Sequence, residues 1–351
     1  MKKYLLSIAA LLLGLLAHSQ EADELGNYAE LSVVARLDAN PYFGNEPEFT
    51  LGNSSIYTLF TGSASEHFSW ALQNHWFSGN SFLGPEADPF DQFKGLGYSD
   101  NTNFLDLANV TLTFGGWNFT LGKQCILTDG HEYDDDDWDV YTGLATPLWN
   151  GLACYQWGGK FAFTTPSEED SFSFQVTTSP FGERPFASKL FNYSLEWRGE
   201  HGPLETIWSA TALGTEPGEY QPVFAFGQRL NFDTFSIGLD AFSVIGDEDE
   251  EENVFLRKGI TLMPSVTYSP SEKFDILAKG GFENYAQEIG EDLTFNHWWA
   301  GLACHWYPLR DSRDLRIHAV AAYRPQSDYF IAPCNNPISL TLGLLYNISI
   351  F

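Results

Sequence analysis

The sequence predicts an all-β fold, a transmembrane antiparallel β-barrel of about sixteen strands with long external loops and short periplasmic turns. Three observations carry this prediction. Apolar and polar residues alternate in segments from residue 28 to the last residue, and no apolar repeat of helical period is sustained after residue 19. Short connections alternate with long ones. The polar faces of the segments also carry charges, which a solid apolar core would not tolerate.

The first nineteen residues have the pattern of a secretory signal peptide. Lys2 and Lys3 precede an apolar run at 5–16, and the segment Ala-His-Ser at 17–19 provides a cleavage site before Gln20. The apolar run is too short to cross a bilayer as a helix. We therefore expect residues 1–19 to be removed and residues 20–351 to form the outer-membrane β-barrel.

The predicted strands follow from two-residue periodicity. In the first, Leu31, Val33 and Leu37 share one face, whereas Arg36 and Asp38 lie on the other. The same alternation recurs along the rest of the chain. It predicts strands at 28–38, 55–62, 67–77, 104–114, 117–125, 149–164, 171–178, 190–198, 204–213, 220–230, 234–245, 255–269, 273–283, 295–307, 315–324 and 337–351.

The connections alternate in length along this series. Short turns such as Gly115-Gly116 and 231–233 follow the even strands, whereas longer or more acidic segments such as 126–148 follow the odd ones. Short periplasmic turns and long external loops produce this order, with both termini on the periplasmic side. The link 214–219 is short where a long loop is expected, so the predicted count is sixteen to within one hairpin.

Charged residues recur on the polar faces of the predicted strands. A barrel of roughly sixteen strands encloses an aqueous channel, whereas about eight strands leave only a filled interior. We therefore predict that these charged side chains line a pore. They are Arg36, Glu196, Arg198, Arg229, Asp240, Lys279, Glu283, Arg316 and Arg324.

The closing segment and one hairpin resemble a known group of proteins. The last strand alternates up to a terminal aromatic residue, Phe351, and resembles the closing strand of bacterial outer-membrane barrels. The stretches 108–112 and 120–124 resemble paired strands of phosphate-selective porins, and the barrel plan resembles the phosphate-selective and general porins. The resemblance implies a location in the cell outer membrane, contact with lipid and lipopolysaccharide, passive passage of small hydrophilic solutes or ions, and a homotrimer.

The segment after the fifth predicted strand contains the densest run of acidic residues. One interpretation is a solvated external loop. The porin resemblance implies instead that this loop folds into the barrel and narrows the pore, facing the wall cations. Because charged side chains in a pore discriminate between ions and the loops are acidic, we predict a weak preference for cations. The implied constriction residues are Asp134, Asp135, Asp136, Asp137 and Asp139.

Several other functions are less well supported by the sequence. The formal net charge of -28 argues against binding to nucleic acid. The acidic runs 134–137 and 247–252 offer carboxylates to Ca²⁺ or Mg²⁺, but EF-hand spacing is absent, and His131-Glu132 lacks the second histidine of HExxH. We therefore expect no cofactor and no metal. A sugar-selective or phosphate-selective porin remains an alternative. An outer-membrane hydrolase is a further one, although the chain has no GxSxG motif.

Overall fold

The computed structural model describes eleven stretches of the chain. They are residues 28–50, 54–78, 105–128, 130–132, 141–146, 148–149, 152–182, 184–245, 258–288, 292–325 and 335–351. The predicted signal peptide at 1–19 lies outside the described residues, and its removal stays a prediction. Within the described ranges, no helix is long and apolar enough to cross a membrane.

All strands belong to one antiparallel sheet. In chain order they are β1 (Tyr28–Phe43), β2 (Glu48–Thr50), β3 (Ser55–Ser65), β4 (Phe68–Ser78), β5 (Leu105–Phe114), β6 (Trp117–Cys125), β7 (Tyr155–Thr164), β8 (Asp170–Thr178), β9 (Phe191–His201), β10 (Leu204–Glu216), β11 (Glu219–Asn231), β12 (Phe235–Val244), β13 (Gly259–Ser271), β14 (Phe274–Glu288), β15 (Asp292–Trp306), β16 (Leu315–Tyr323) and β17 (Ile338–Ser349).

The sheet closes on itself through the first and last strands. β1 pairs with β17 from Ser32 opposite Ser349 onward, and it pairs with β3 on its other edge. β2 has three residues and pairs with Asn40–Tyr42, near the end of β1. Sixteen long strands therefore form a closed barrel, and β2 merely lengthens one hairpin. The predicted fold class and strand count are confirmed.

The short link at 214–219 is a tight turn between β10 and β11. Glu216 lies opposite Glu219, and Gly218 takes a positive φ of 91° at the turn. Glycine adopts this conformation without the steric cost that a Cβ would bring. The link is therefore a true connection between two wall strands, and the strand count of sixteen holds.

The two faces of the wall differ in chemistry as the alternation predicts. On β12, Ile237 and Leu239 are exposed on the outer face, whereas Asp240, Phe242 and Val244 are buried on the inner face. The outer face of the whole barrel carries exposed large apolar side chains, which is the pattern of a wall in contact with lipid.

Most of the predicted strand boundaries shift by a few residues in the structure, and two of the largest shifts are at the start of β7 and the end of β1. The predicted strand 149–164 begins only at Tyr155, because Leu148, Leu152 and Ala153 are buried in the connection that precedes it. Apolar alternation in this segment reflects packing inside the barrel, not pairing in the wall. The first strand is longer than predicted and runs to Phe43.

A hydrophobic cluster lies inside the barrel, between the wall and the connection from β6 to β7. We call this connection, residues 126–154, the third loop. Ile126, Tyr141, Leu144, Leu148 and Leu152 of the third loop pack against inner-face residues of β10 to β16. The wall contributes Leu213, Val223, Ala225, Phe242, Val244, Met263, Trp299, Ala303, Val320 and Ala322. The described parts of the third loop therefore lie within the barrel.

Candidate pore constriction and inner wall

We call the described residues 126–128 and 130–132 of the third loop its first limb. The backbone of this limb is hydrogen bonded to side chains of β8 and β10. The Leu127 amide donates to Gln175 Oε1 at 3.1 Å, and Gln175 Nε2 donates to the Cys125 carbonyl at 2.8 Å. Thr211 Oγ1 donates to the Leu127 carbonyl at 2.5 Å. Inward-facing polar side chains thus pair with the backbone where the loop leaves the wall.

Further along, the same limb reaches the opposite part of the wall. The backbone amides of His131 and Glu132 donate to the Asp240 carboxylate on β12. Glu132 in turn accepts hydrogen bonds from Thr146 and lies 3.9 Å from Lys279 Nζ on β14. One buried glutamate therefore joins the two limbs of the loop to each other and to the wall.

We call the described residues from 141 to 154 the return limb of the third loop. This limb contacts β15 and Arg324, the residue just after β16. The Tyr141 hydroxyl and His305 Nε2 are hydrogen bonded at 2.7 Å. Arg324 Nη2 donates to the Ala145 carbonyl, and its guanidinium lies 4.8 Å from the centre of the Trp299 ring. Both limbs are therefore fixed inside the barrel by side chains from several strands.

A polar cavity of about 310 Å³ lies between the third loop and the wall from β11 to β16. Four predicted pore-lining residues contribute to it, including three cations. Burial raises the pKa of the Tyr307 phenol, just beyond β15, above its usual value, so this phenol is neutral near pH 7. The lining residues are His131, Glu132, Tyr141, Arg229, Ser236, Asp240, Ser265, Thr267, Asp275, Leu277, Lys279, His305, Tyr307 and Arg316.

The remaining predicted pore-lining residues lie at other points of the inner wall. Arg36 Nη1 donates to the Tyr57 hydroxyl at 3.3 Å and stacks over its ring. Arg198 Nη2 donates to Glu196 on the same strand at 2.8 Å. Glu283 accepts a hydrogen bond from the Trp299 indole. The structure therefore brings Arg229, Asp240, Lys279 and Arg316 to one cavity and distributes Arg36, Glu196, Arg198, Glu283 and Arg324 around the wall.

Sequence analysis missed three carboxylate–histidine pairs on the inner wall. His75 Nδ1 lies 2.5 Å from Asp106, and His297 Nδ1 lies 3.5 Å from Glu283. The most buried pair joins His318 Nε2 to Asp38 Oδ1 at 2.7 Å. The inward phase of these residues is visible in the sequence, but the partner of each is not.

The Asp38–His318 pair depends on a glycine in the strand between them. Gly343 on β17 lies opposite Asp38 on one side and opposite His318 on the other. A Cβ at Gly343 would overlap with Asp38 Oδ1. The missing side chain lets the two polar groups meet across β17.

The acidic constriction predicted from the sequence is not placed. Asp134, Asp135, Asp136, Asp137 and Asp139 lie outside the described residues, as does the acidic run at 247–252. Among the residues that the structure describes, no group of three or more His, Cys, Asp or Glu side chains is arranged to hold a metal ion.

Comparison with known proteins gives structural matches only. No protein-family model matches the chain, and no curated protein matches it in sequence. OmpF of Salmonella typhi, solved in complex with daunomycin, is 12% identical with a TM-score of 0.66, over 92% of this chain and 98% of that one. The outer-membrane channel DcaP of Acinetobacter baumannii is 11% identical with a TM-score of 0.58, over 93% and 99% of the two chains.

A third similar structure is OmpT, an outer membrane protein of Vibrio cholerae, folded in vitro and solved in a trimer form. It is 12% identical with a TM-score of 0.54, over 91% of this chain and 99% of that one. At these identities the similarity concerns the fold. The chain has the closed sixteen-strand fold of the bacterial outer-membrane porins.

Proposed function

We propose that this protein is an outer-membrane porin, a passive diffusion channel for small hydrophilic solutes or ions. The observation that carries the proposal is the polar cavity between the third loop and the inner wall. Charged and hydroxyl side chains line it, and the loop that bounds it is bonded to β8, β10, β12, β14 and β15. A polar, charged interior bounded by an internal loop suits the passage of hydrated solutes.

The channel has a weak cation preference under this proposal, set by the acidic part of the third loop. Asp134, Asp135, Asp136, Asp137 and Asp139 form the constriction and face the cations of the wall. The anchoring of described residues on both sides of this segment, Glu132 and Tyr141, supports the assignment. Carboxylates in a narrow zone attract cations and repel anions.

The proposal includes the surroundings of the channel. Residues 1–19 are a signal peptide, and the mature chain contacts outer-membrane lipid and lipopolysaccharide. The exposed apolar outer face supports the contact with lipid. The mature protein is a homotrimer, for which the trimer form of the Vibrio cholerae OmpT structure provides support.

Single-channel recording in a planar lipid bilayer tests the proposal. The refolded mature chain should give stepwise conductance, and the reversal potential across a KCl gradient should indicate a modest preference for K⁺. Replacing Asp134, Asp135, Asp136 and Asp137 with Asn should shift the reversal potential toward Cl⁻ selectivity. An unchanged reversal potential would remove these residues from the constriction. A verified folded barrel without conductance would contradict the porin and favour the outer-membrane hydrolase.

A phosphate-selective channel is the second candidate. Arg229, Lys279 and Arg316 all line the same cavity, and guanidinium and ammonium groups bind phosphate well. Under this alternative, added inorganic phosphate should reduce the KCl current at millimolar concentration. A sugar-selective channel predicts instead that a neutral oligosaccharide reduces the current. If neither solute does so, the general porin remains the better account.

A further inference from the structure

We propose that Asp240 is the positioning residue that holds the third loop against the inner wall of the barrel. The holding role rests on hydrogen bonds between Asp240 and the loop backbone. Its consequence for conductance rests on the proposed channel function. Nothing in the sequence distinguishes Asp240 from the other inward-facing charges, because its partners are backbone amides.

Both oxygens of Asp240 are used to hold the loop. Oδ1 accepts from the His131 amide at 2.9 Å, and Oδ2 accepts from the Glu132 amide at 3.1 Å. The residue is 7% exposed, so water competes little for these bonds. Hydrogen bonds from an amide to a charged carboxylate are stronger than those between neutral groups. Two such bonds fix the position and the orientation of the loop backbone.

Two glycines make room for this contact. Gly227 on β11 lies directly opposite Asp240, and a Cβ there would lie 2.7 Å from Asp240 Oδ1 and 3.0 Å from the His131 nitrogen. A Cβ at Gly130 would lie 2.6 Å from the same oxygen. The wall and the loop therefore approach each other closely only because both positions lack a side chain.

Glu132 extends the effect of Asp240 from the first limb to the return limb. Glu132, whose amide binds Asp240, accepts from the Thr146 amide at 2.7 Å and from Thr146 Oγ1 at 2.8 Å. Lys279 Nζ lies 3.9 Å from the same carboxylate. Fixing the backbone at Glu132 therefore also fixes the return limb at Thr146. Asp240 thus positions both limbs through its hydrogen bonds to the first.

The experiment compares Asp240→Ala with Asp275→Ala. Asp275 faces the same cavity and carries the same charge, but its hydrogen bonds are to Ser269 and Arg313. In protein that is verified to be folded, we expect the rate of hydrogen exchange at the His131 and Glu132 amides to rise at least tenfold in Asp240→Ala. We expect it to stay near the wild-type rate in Asp275→Ala.

A second variant covers the case in which Asp240→Ala does not fold. Gly227→Ala keeps the carboxylate and adds one methyl group beside it, so it should also accelerate exchange at His131 and Glu132. Unchanged exchange in a folded variant of either kind would overturn the proposal, as would equal effects of Asp240→Ala and Asp275→Ala. Faster exchange without conductance in any protein, including the wild type, would overturn the channel function and leave the positioning role intact.

Discussion

Two neighbouring tryptophans on β15 illustrate the difference between the two faces of the barrel. Trp298 is 53% exposed on the outer face, where its only described ring neighbour is Tyr323 at 5.3 Å. Trp299 is 2% exposed on the inner face, donates to Glu283 Oε1 at 2.9 Å and lies beneath Arg324. The outer residue contributes apolar area, whereas the inner one is held by named partners.

The same contrast holds around the barrel. Outer-face residues such as Leu239 require only an apolar side chain of suitable size, because lipid accommodates many shapes. Inner-face residues such as Asp38 require a particular partner, because a buried charge without one is costly. Substitutions on the inner face should therefore depend on the partner, and those on the outer face should depend on polarity.

The largest effect is expected at the buried Asp38–His318 pair. His318→Leu places an apolar side chain of similar volume at this position and removes the ring nitrogen that is hydrogen bonded to Asp38; both side chains of the pair are fully buried. Removing the partner of a buried carboxylate leaves it uncompensated, which costs about 3–5 kcal/mol. We expect a decrease of this size in the free energy of unfolding, measured by denaturant titration in lipid vesicles.

The control is the double variant Asp38→Asn, His318→Leu. Because the remaining buried group is then neutral, about half of the lost stability should return. Equal stability of the single and double variants would contradict the claim that the inner face is governed by specific partners.

The next effect concerns the outer face. Leu239 is 47% exposed near the middle of β12, and Leu239→Arg places a charge in the lipid. An arginine facing lipid near the bilayer midplane costs about 2–4 kcal/mol. Ser236→Arg on the same strand faces the cavity and should cost much less, but it should alter ion selectivity. Similar unfolding free energies for the two variants would contradict the assignment of faces on β12.

The outer face was largely predictable from the sequence, and the inner face only in part. Alternation alone assigns Leu239 to one side and Asp240 to the other. It does not give the partner of Asp38, which is 280 residues away and reaches it across Gly343. The third loop limits prediction for a similar reason. Leu152 and Ala153 fall within a predicted wall strand, although the structure buries them in the third loop.

The smallest effect separates the two tryptophans themselves. Trp299→Phe removes the indole donor and leaves Glu283 without that hydrogen bond, which should cost about 1–3 kcal/mol. Trp298→Phe keeps an aromatic ring in contact with lipid and should change the unfolding free energy by less than about 0.5 kcal/mol. Denaturant titration of both variants in the same vesicles measures the difference. A larger loss for Trp298→Phe would mean that aromatic contact with lipid, more than inner-face hydrogen bonding, stabilises β15.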